Sequence, residues 1–374
     1  MADEKACAAR VARLRHIMEE RGYDAVILRN NPDLRWLTGA ERTFDDEVAH
    51  TAVITASRQL LHTDSRYYNT FCERLGPDTA WEIDQEIVDA PDWAAERVRE
   101  ARARVVAVED TATLAFYDAF EAALAARSVA ALTPRLHGDL VRLRTVKDAE
   151  EVALMRAAQK ITDEAFEHIC GYIRPGLTEQ QIRAELENYM LSHGAEGLSF
   201  GTIIASGPNG ANPHAQPGAR VVGPGDMIVM DYGCVVSDYH SDMTRTVCLG
   251  EPSEEQRHVY DVVRRAHEEC AAMARAGVIG KDVYDHSVKV IADAGYGDFY
   301  KHGLGHGVGV EIHEEPNFNR RNLEPIPAGA VITIEPGIYL PGKFGVRLED
   351  FGLVTEEGYE PFTQSPHDLR VIAC

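Results

Sequence analysis

The apolar positions of this chain change period along its length. Residues 10–23 carry a helical stripe that stops at Gly22, and Asp24-Ala-Val-Ile-Leu28 then reads as a strand, followed by the turn-rich Asn30-Asn31-Pro32. Residues 52–55 and 59–62 pattern as a hairpin and 105–108 as a buried strand. The alanine-rich stretches 93–103 and 114–127 pattern as helices. Strands alternating with helices predict an α/β domain, assigned to residues 1–138, with Leu140-Val-Arg-Leu-Arg144 as a connection.

A different rhythm begins at Lys147. One long helix carries the stripe Leu154, Ala158, Ile161, Ala165 and Ile169 and stops before Arg174-Pro175-Gly176. Thr178 with Gln181 makes a capping box for a second helix bearing Ile182, Leu186, Tyr189 and Met190. After an intervening hairpin, Ser253 with Gln256 caps a third helix through Val259, Val263, Ala266, Cys270 and Met273, and a fourth lies at 282–294. A second hairpin follows. Helix, helix, hairpin thus occurs twice, and residues 139–374 read as an internally duplicated domain.

The two hairpins carry the chemistry. Gly225-x-Met-Ile-x-Met-Asp231-x-Gly233 and Gly329-x-Val-Ile-x-Ile-Glu335-x-Gly337 follow one template of glycine, apolar residues, acid and glycine. The midpoint of Asp231 and Asp242 falls between Val236 and Ser237, inside the expected turn. The midpoint of Glu335 and Glu349 is Gly342, in Pro341-Gly342-Lys343. Each hairpin is therefore expected to set its two acids opposite each other. Acids inside buried strands are costly unless compensated. Salt bridges to Arg245 and Arg347 would compensate one pair; two matched pairs with a histidine segment favour metal. Asp231, Asp242, His306, Glu335 and Glu349 form an oxygen-rich set suited to two divalent cations, with Mn placed first and Co, Zn or Fe as alternatives.

The histidine belongs to His302-Gly-Leu-Gly-His306-Gly-Val-Gly-Val-Glu-Ile-His313-Glu-Glu-Pro316, whose glycines let backbone approach closely. A dinucleotide loop is excluded because the flanking strand and helix are missing. His214, in Asn212-Pro213-His214, occupies the corresponding loop ahead of the first hairpin.

Composition adds limits. At 374 residues two domains are expected, and 45% hydrophobic with 26% charged residues is ordinary for a globular protein. A net charge of −22 argues against nucleic acid or an anionic membrane as partner. Met-Ala-Asp-Glu-Lys lacks a signal-peptide pattern, and no stretch approaches a membrane span. The 7 cysteines are scattered without a C-x-x-C, as expected of reduced thiols in a cytoplasmic protein. Cys234 and Cys248 lie near the aspartate hairpin and read as packing residues.

Pro213-His214, Asp231-x-Gly233, Ser241-Asp242-x-Thr-Arg-Thr246, His302-Gly-Leu-Gly-His306-Gly, His313-Glu-x-Pro316, Glu335-Pro-Gly337 and Gly345-Val-Arg-x-Glu349-Asp350 closely resemble the motifs of the pita-bread metallopeptidases (family M24). Prolidase (Xaa-Pro dipeptidase) and aminopeptidase P are the nearest members by length. Tyr23-Asp-Ala-Val-Ile-Leu28 and Trp36-Leu-Thr-Gly39 resemble, more weakly, their N-terminal creatinase/prolidase-like domain. The resemblance implies an α/β N-terminal domain followed by a pita-bread catalytic domain. It also implies that Asp231 holds one metal, His306 the other, and that Asp242 and Glu349 bridge both.

By the same resemblance Glu335 is a ligand and the proton shuttle, and a metal-bridging hydroxide attacks the scissile carbonyl. His214 and His313 stabilise the oxyanion, His302 lines the substrate pocket, and Arg347 supports a ligand carboxylate. The implied substrates are Xaa-Pro dipeptides or short peptides, and the implied assembly is a homodimer. Two positions depart from relatives: Asn317 stands where some microbial prolidases have arginine, with Arg320 and Arg321 nearby, and Gly201 stands where many have glutamate. Alternatives within the same fold are a hydrolase or lyase for a non-peptide substrate, such as an ectoine hydrolase, and a non-catalytic peptide-binding module.

Overall fold

The structure is a computed structural model that describes residues 4–45 and 47–374. The stretch read for targeting signals begins with residues 1–3, which lie outside the described residues. The chain divides into two compact units, Met1–Arg144 and Thr145–Cys374. No helix among the described residues is long and apolar enough to cross a membrane.

In the N-terminal unit five strands lie in the spatial order Trp81–Asp84, Gln59–His62, Thr51–Thr55, Ala25–Leu28, Val106–Val108. Gln59–His62 and Thr51–Thr55 form the expected hairpin. Ala25–Leu28 is buried along its whole length, and helices Ala90–Ala101 and Leu114–Ala126 pack on the sheet through Trp93, Val98, Phe116 and Phe120. Two segments differ from the sequence reading. Asn30-Asn31-Pro32 is not a free turn but the start of helix Asn31–Thr38, with proline in its first turn, where its missing N–H costs nothing. The connection at 140–144 is itself helical, within Asp139–Thr145.

The C-terminal unit is built from two similar halves. Helices Ala149–Tyr172 and Glu179–Ser192 precede the strand pair Asp226–Tyr232 and Met243–Leu249. Helices Glu254–Met273 and Gly280–Asp293 precede Val331–Ile334 and Asp350–Val354. Asp148, Thr178 and Ser253 each make both halves of a capping box. In the first half Ala158, Ala165, Ile169, Ile182 and Leu186 pack onto Ile228, Met230 and Val247. In the second, Val259, Val263 and Ile291 pack onto Ile338 and Val346, and Cys270 and Val283 onto Ile332 and Ile334.

The halves match in detail. Gly225 and Gly329, which enter the corresponding strands, both take φ +86, a backbone state suited to glycine. His168 Nε2 contacts Glu185 at 2.7 Å between the first two helices. His286 Nε2 contacts Glu269 at 2.7 Å between the second two, with acid and base exchanged.

The hairpin registers differ from each other. Val331–Ile334 with Asp350–Val354, and Gly337–Leu340 with Phe344–Arg347, share one register that sets Glu335 across from Glu349, as the midpoint at Gly342 predicts. In the first hairpin Thr244, not Asp242, stands opposite Asp231. The turn is the cause. Ser237 and Asp238 both take positive φ (46 and 63) and form a two-residue turn closed by the pair Val236 and Tyr239, one residue beyond the expected centre. The slip is two residues, so the side-chain alternation is unchanged and both aspartates stay on one face, as diagonal neighbours. An isolated bridge between Thr244 and Glu349, with Glu349 N donating to Thr244 O at 3.1 Å, joins the two halves beside these acids.

Candidate metal centre

All nine residues singled out from the sequence line one cavity of about 530 Å³: Asp231, Asp242, His306, Glu335, Glu349, His214, His302, His313 and Arg347. The aspartates come from the first hairpin, the glutamates from the second, and His306 from the strand Gly305–Gly307. That strand runs close against its neighbours because it is glycine-rich. A Cβ on Gly305 would stand 1.9 Å from Thr333 O, and one on Gly307 2.5 Å from Glu315 O. Glycine is therefore required at both positions for the histidine to reach the acids.

The donor atoms converge. Asp242, His306 and Glu349 each offer one ligand atom, and the three lie within 4.8 Å of one another. His306 Nε2 is 3.5 Å from Asp242 Oδ2 and 3.7 Å from Glu335 Oε1. Burial pushes His306 down to about 4, so its ring is neutral near pH 7. Its Nδ1–H donates to Gly307 O at 3.0 Å, which leaves the Nε2 lone pair facing the carboxylates. His302 is built the same way: burial lowers it to about 4, Nδ1–H donates to Gly303 O at 2.7 Å, and Nε2 accepts from the Tyr339 hydroxyl at 3.0 Å.

Four carboxylates around one cavity cannot all ionise without compensating charge. Burial pushes Asp231 up against the opposing pull of Arg347, whose guanidinium pairs with Asp231 Oδ2. Asp242 and Glu349 rise well above the usual range, through burial first and neighbouring carboxylates second. Glu335 is pushed up to about 8, chiefly by burial. Asp231 Oδ1 and Asp242 Oδ1 are buried without a hydrogen-bond partner. Orphaned oxygens, a neutral imidazole and surplus negative charge fit divalent cations; arginine alone does not balance the set.

Arg347 does more than pair with Asp231. Its Nε donates to Thr244 Oγ1 at 2.9 Å, and its Nη1 to Tyr339 Oη at 2.9 Å and Pro213 O at 3.2 Å. Arg245, the other arginine considered, serves Asp350 instead, donating to its Oδ1 at 2.7 Å and to Glu349 O at 2.6 Å. Cys234 and Cys248 are buried packing residues outside the cavity. His214 and His313 are exposed on the cavity wall, and the His313 ring lies 4.4 Å from that of His306.

Three contributors had no role assigned from the sequence, although Thr244 and Glu314 stand within the family-like motifs. Thr244 Oγ1 donates to Glu349 Oε2 at 2.7 Å, Tyr339 links His302 to Arg347, and a buried Lys147–Glu314 pair at 2.9 Å anchors the residue after His313. Thr244 and Tyr339 stand at even spacings from Asp242 and Glu335, so strand alternation was the available signal. The Lys147 pairing had none, since the partners are far apart in sequence. At the rim, Asn317 lines the cavity and donates to Glu315 Oε2 at 2.8 Å, and a Cβ on Gly201 would meet open space.

Residues 153–356 match the model for metallopeptidase family M24, and residues 10–146 match the creatinase/prolidase N-terminal domain. The chain is 33% identical to an uncharacterized peptidase of Bacillus subtilis, YqhT, over 97% of this chain and 100% of that one. Its fold is similar to that of an Xaa-Pro dipeptidase from Bacillus anthracis, with TM-score 0.90 and 34% identity over 98% of this chain and 99% of the other. It is also similar to an X-Pro aminopeptidase from Thermotoga maritima, with TM-score 0.88 and 34% identity over 97% and 99%.

Proposed function

This chain belongs to metallopeptidase family M24, with a creatinase/prolidase N-terminal domain and a pita-bread catalytic domain, and on that premise we propose that it is a dinuclear-metal exopeptidase cleaving the Xaa-Pro bond at the N-terminus of dipeptides or short peptides. The observation that carries the reading is the convergence of four carboxylates, those of Asp242 and Glu349 buried and those of Asp231 and Glu335 partly open, and the neutral His306 on one cavity. Asp231, Asp242, His306, Glu335 and Glu349 would hold two divalent cations, which supply carbonyl polarisation and a water acidic enough to attack near neutral pH.

The protein's own groups do the rest. Glu335, still partly open to the cavity, takes the proton of the attacking water and delivers it to the leaving nitrogen. His214 and His313, on the cavity wall, donate N–H bonds to the oxygen that gains charge. Arg347 fixes Asp231 and, through Tyr339, the ring of His302. Phe200, Ile203, Pro213 and Ile312 give the cavity an apolar wall suited to a proline ring.

The Bacillus anthracis dipeptidase and the Thermotoga maritima aminopeptidase are each 34% identical to this chain, so preference between the two activities is a kinetic question. Chelated protein refilled with one metal at a time should be assayed on Ala-Pro, Ala-Pro-Gly and ectoine. Cleavage of at least one peptide, with manganese the best ion, is expected. Turnover of ectoine alone, or of none of the three, would refute the reading. Manganese, a homodimer and a cytoplasmic setting belong to the same proposal; sedimentation of the native protein checks the dimer.

A further inference from the structure

A second cluster of ligand groups lies outside the cavity. His267 projects from helix Glu254–Met273, Asp350 opens strand Asp350–Val354, and His367 belongs to the C-terminal segment. His267 is fully buried, and neither of its ring nitrogens has a hydrogen-bond partner. A buried polar group left so is costly unless something else satisfies it. Its Nε2 is 3.6 Å from Asp350 Oδ2, and His367 Nε2 is 2.7 Å from the same oxygen. The two imidazole rings stand 4.8 Å apart at 74°. One ligand atom from each of the three residues lies within 4.8 Å of the others.

We propose that His267, Asp350 and His367 form a separate binding site for a single borderline divalent cation of the zinc class. Two imidazoles and one carboxylate are a donor set that such ions favour over magnesium or calcium, and three protein ligands leave a position for water. The surrounding groups orient the ligands. Arg245 Nη2 holds Asp350 Oδ1 at 2.7 Å, which leaves Oδ2 for the ion. His367 Nδ1 lies 3.7 Å from Glu268 Oε1, too far for a hydrogen bond but near enough for the carboxylate's charge to favour a proton on Nδ1.

The Arg245 charge opposes a cation, and Asp350 and Glu268 offset it, while Arg245 is also bonded to the carbonyls of Glu349, Ser365 and Pro366. His267 Nε2, unpartnered and fully buried, faces Asp350 Oδ2 and is placed to offer its lone pair to the same ion. The partly exposed His367 gives the ion a way in. An ion on His367 Nε2 takes the place of the ring's hydrogen bond to Asp350 Oδ2, with the ring proton carried on Nδ1. The bound ion ties the C-terminal segment to the helix and holds Asp350, the chain neighbour of Glu349. It takes no part in bond cleavage, and its donors are separate from those of the cavity.

The test is zinc stoichiometry on chelated, full-length protein by equilibrium dialysis and atomic emission. His367→Ala and His367→Gln should each bind one ion per chain fewer than the unaltered protein. His306→Ala should bind one ion per chain more than His306→Ala/His367→Ala, and zinc should raise the melting temperature of the first by more than that of the double variant. Equal zinc content with and without His367 would overturn the proposal. So would a His306→Ala protein that binds no zinc; neither result depends on peptidase activity.

Discussion

Thr244 meets two demands with one hydroxyl. It donates to Glu349 Oε2 at 2.7 Å and accepts from Arg347 Nε at 2.9 Å, so it fixes a proposed ligand and the guanidinium that pairs with Asp231. Thr244→Val keeps the shape and removes both bonds. Metal affinity should fall by about 10–100-fold with the fold intact, as read by competition with a chelator; unchanged affinity would remove Thr244 from the site. Glu335→Gln keeps an oxygen donor but cannot carry a proton. Turnover of a good substrate should drop by roughly 10²–10⁴-fold with circular dichroism unaltered, and near-native rates would remove its proton-transfer role. That the four acids share one site was legible because acids in buried strands need compensation, and His306 was marked by its glycine-spaced segment. Thr244 and Tyr339 were not, because a hydroxyl on a strand carries no such cost and its role depends on which strand lies opposite.

At the scale of elements, the two hairpins explain both what the sequence reveals and where it misleads. Gly342, at φ +75 in the second turn, marks that turn in the sequence, and the Glu335–Glu349 register follows from it. The first turn uses Ser237 and Asp238 in left-handed conformations without a glycine to mark them, so its centre was misjudged by one position and the partner of Asp231 by two. The face survived the error because strand alternation has a period of two. The helices and their capping boxes were readable from local pattern, as local interactions create them.

The loop bearing His313 depends on a long-range pair that local pattern does not reveal. Lys147 Nζ lies 2.9 Å from Glu314 Oε2, with both side chains almost wholly buried. Lys147→Met leaves that carboxylate without its cation and should cost about 3–5 kcal/mol in urea unfolding. Lys147→Met/Glu314→Gln should recover most of the loss. A single variant as stable as the parent would show that the pair does not hold the loop.

Across the whole molecule, the duplicated halves of the C-terminal unit meet at the Thr244–Glu349 bridge, and on the proposed reading the carboxylates gathered there should make stability depend on bound cations. In chelated protein Glu335 has a folded pKa of about 8 against an ordinary 4.5, so the folded state holds a proton that the unfolded state releases. This contribution is complete below pH 4.5 and is lost as pH rises through about 8. Metal-free protein should therefore melt at progressively lower temperature over that window, and refilling with manganese should restore stability at the alkaline end. A melting temperature independent of both chelation and pH would contradict the charge balance proposed for the cavity.

Anomalous X-ray diffraction from manganese-loaded crystals reads the cavity directly. Two peaks, about 3.5–4 Å apart, should lie within bonding distance of Asp231, Asp242, His306, Glu335 and Glu349. A cavity with no peak or only one, or ions held there by other side chains, would contradict a dinuclear centre built from these five residues.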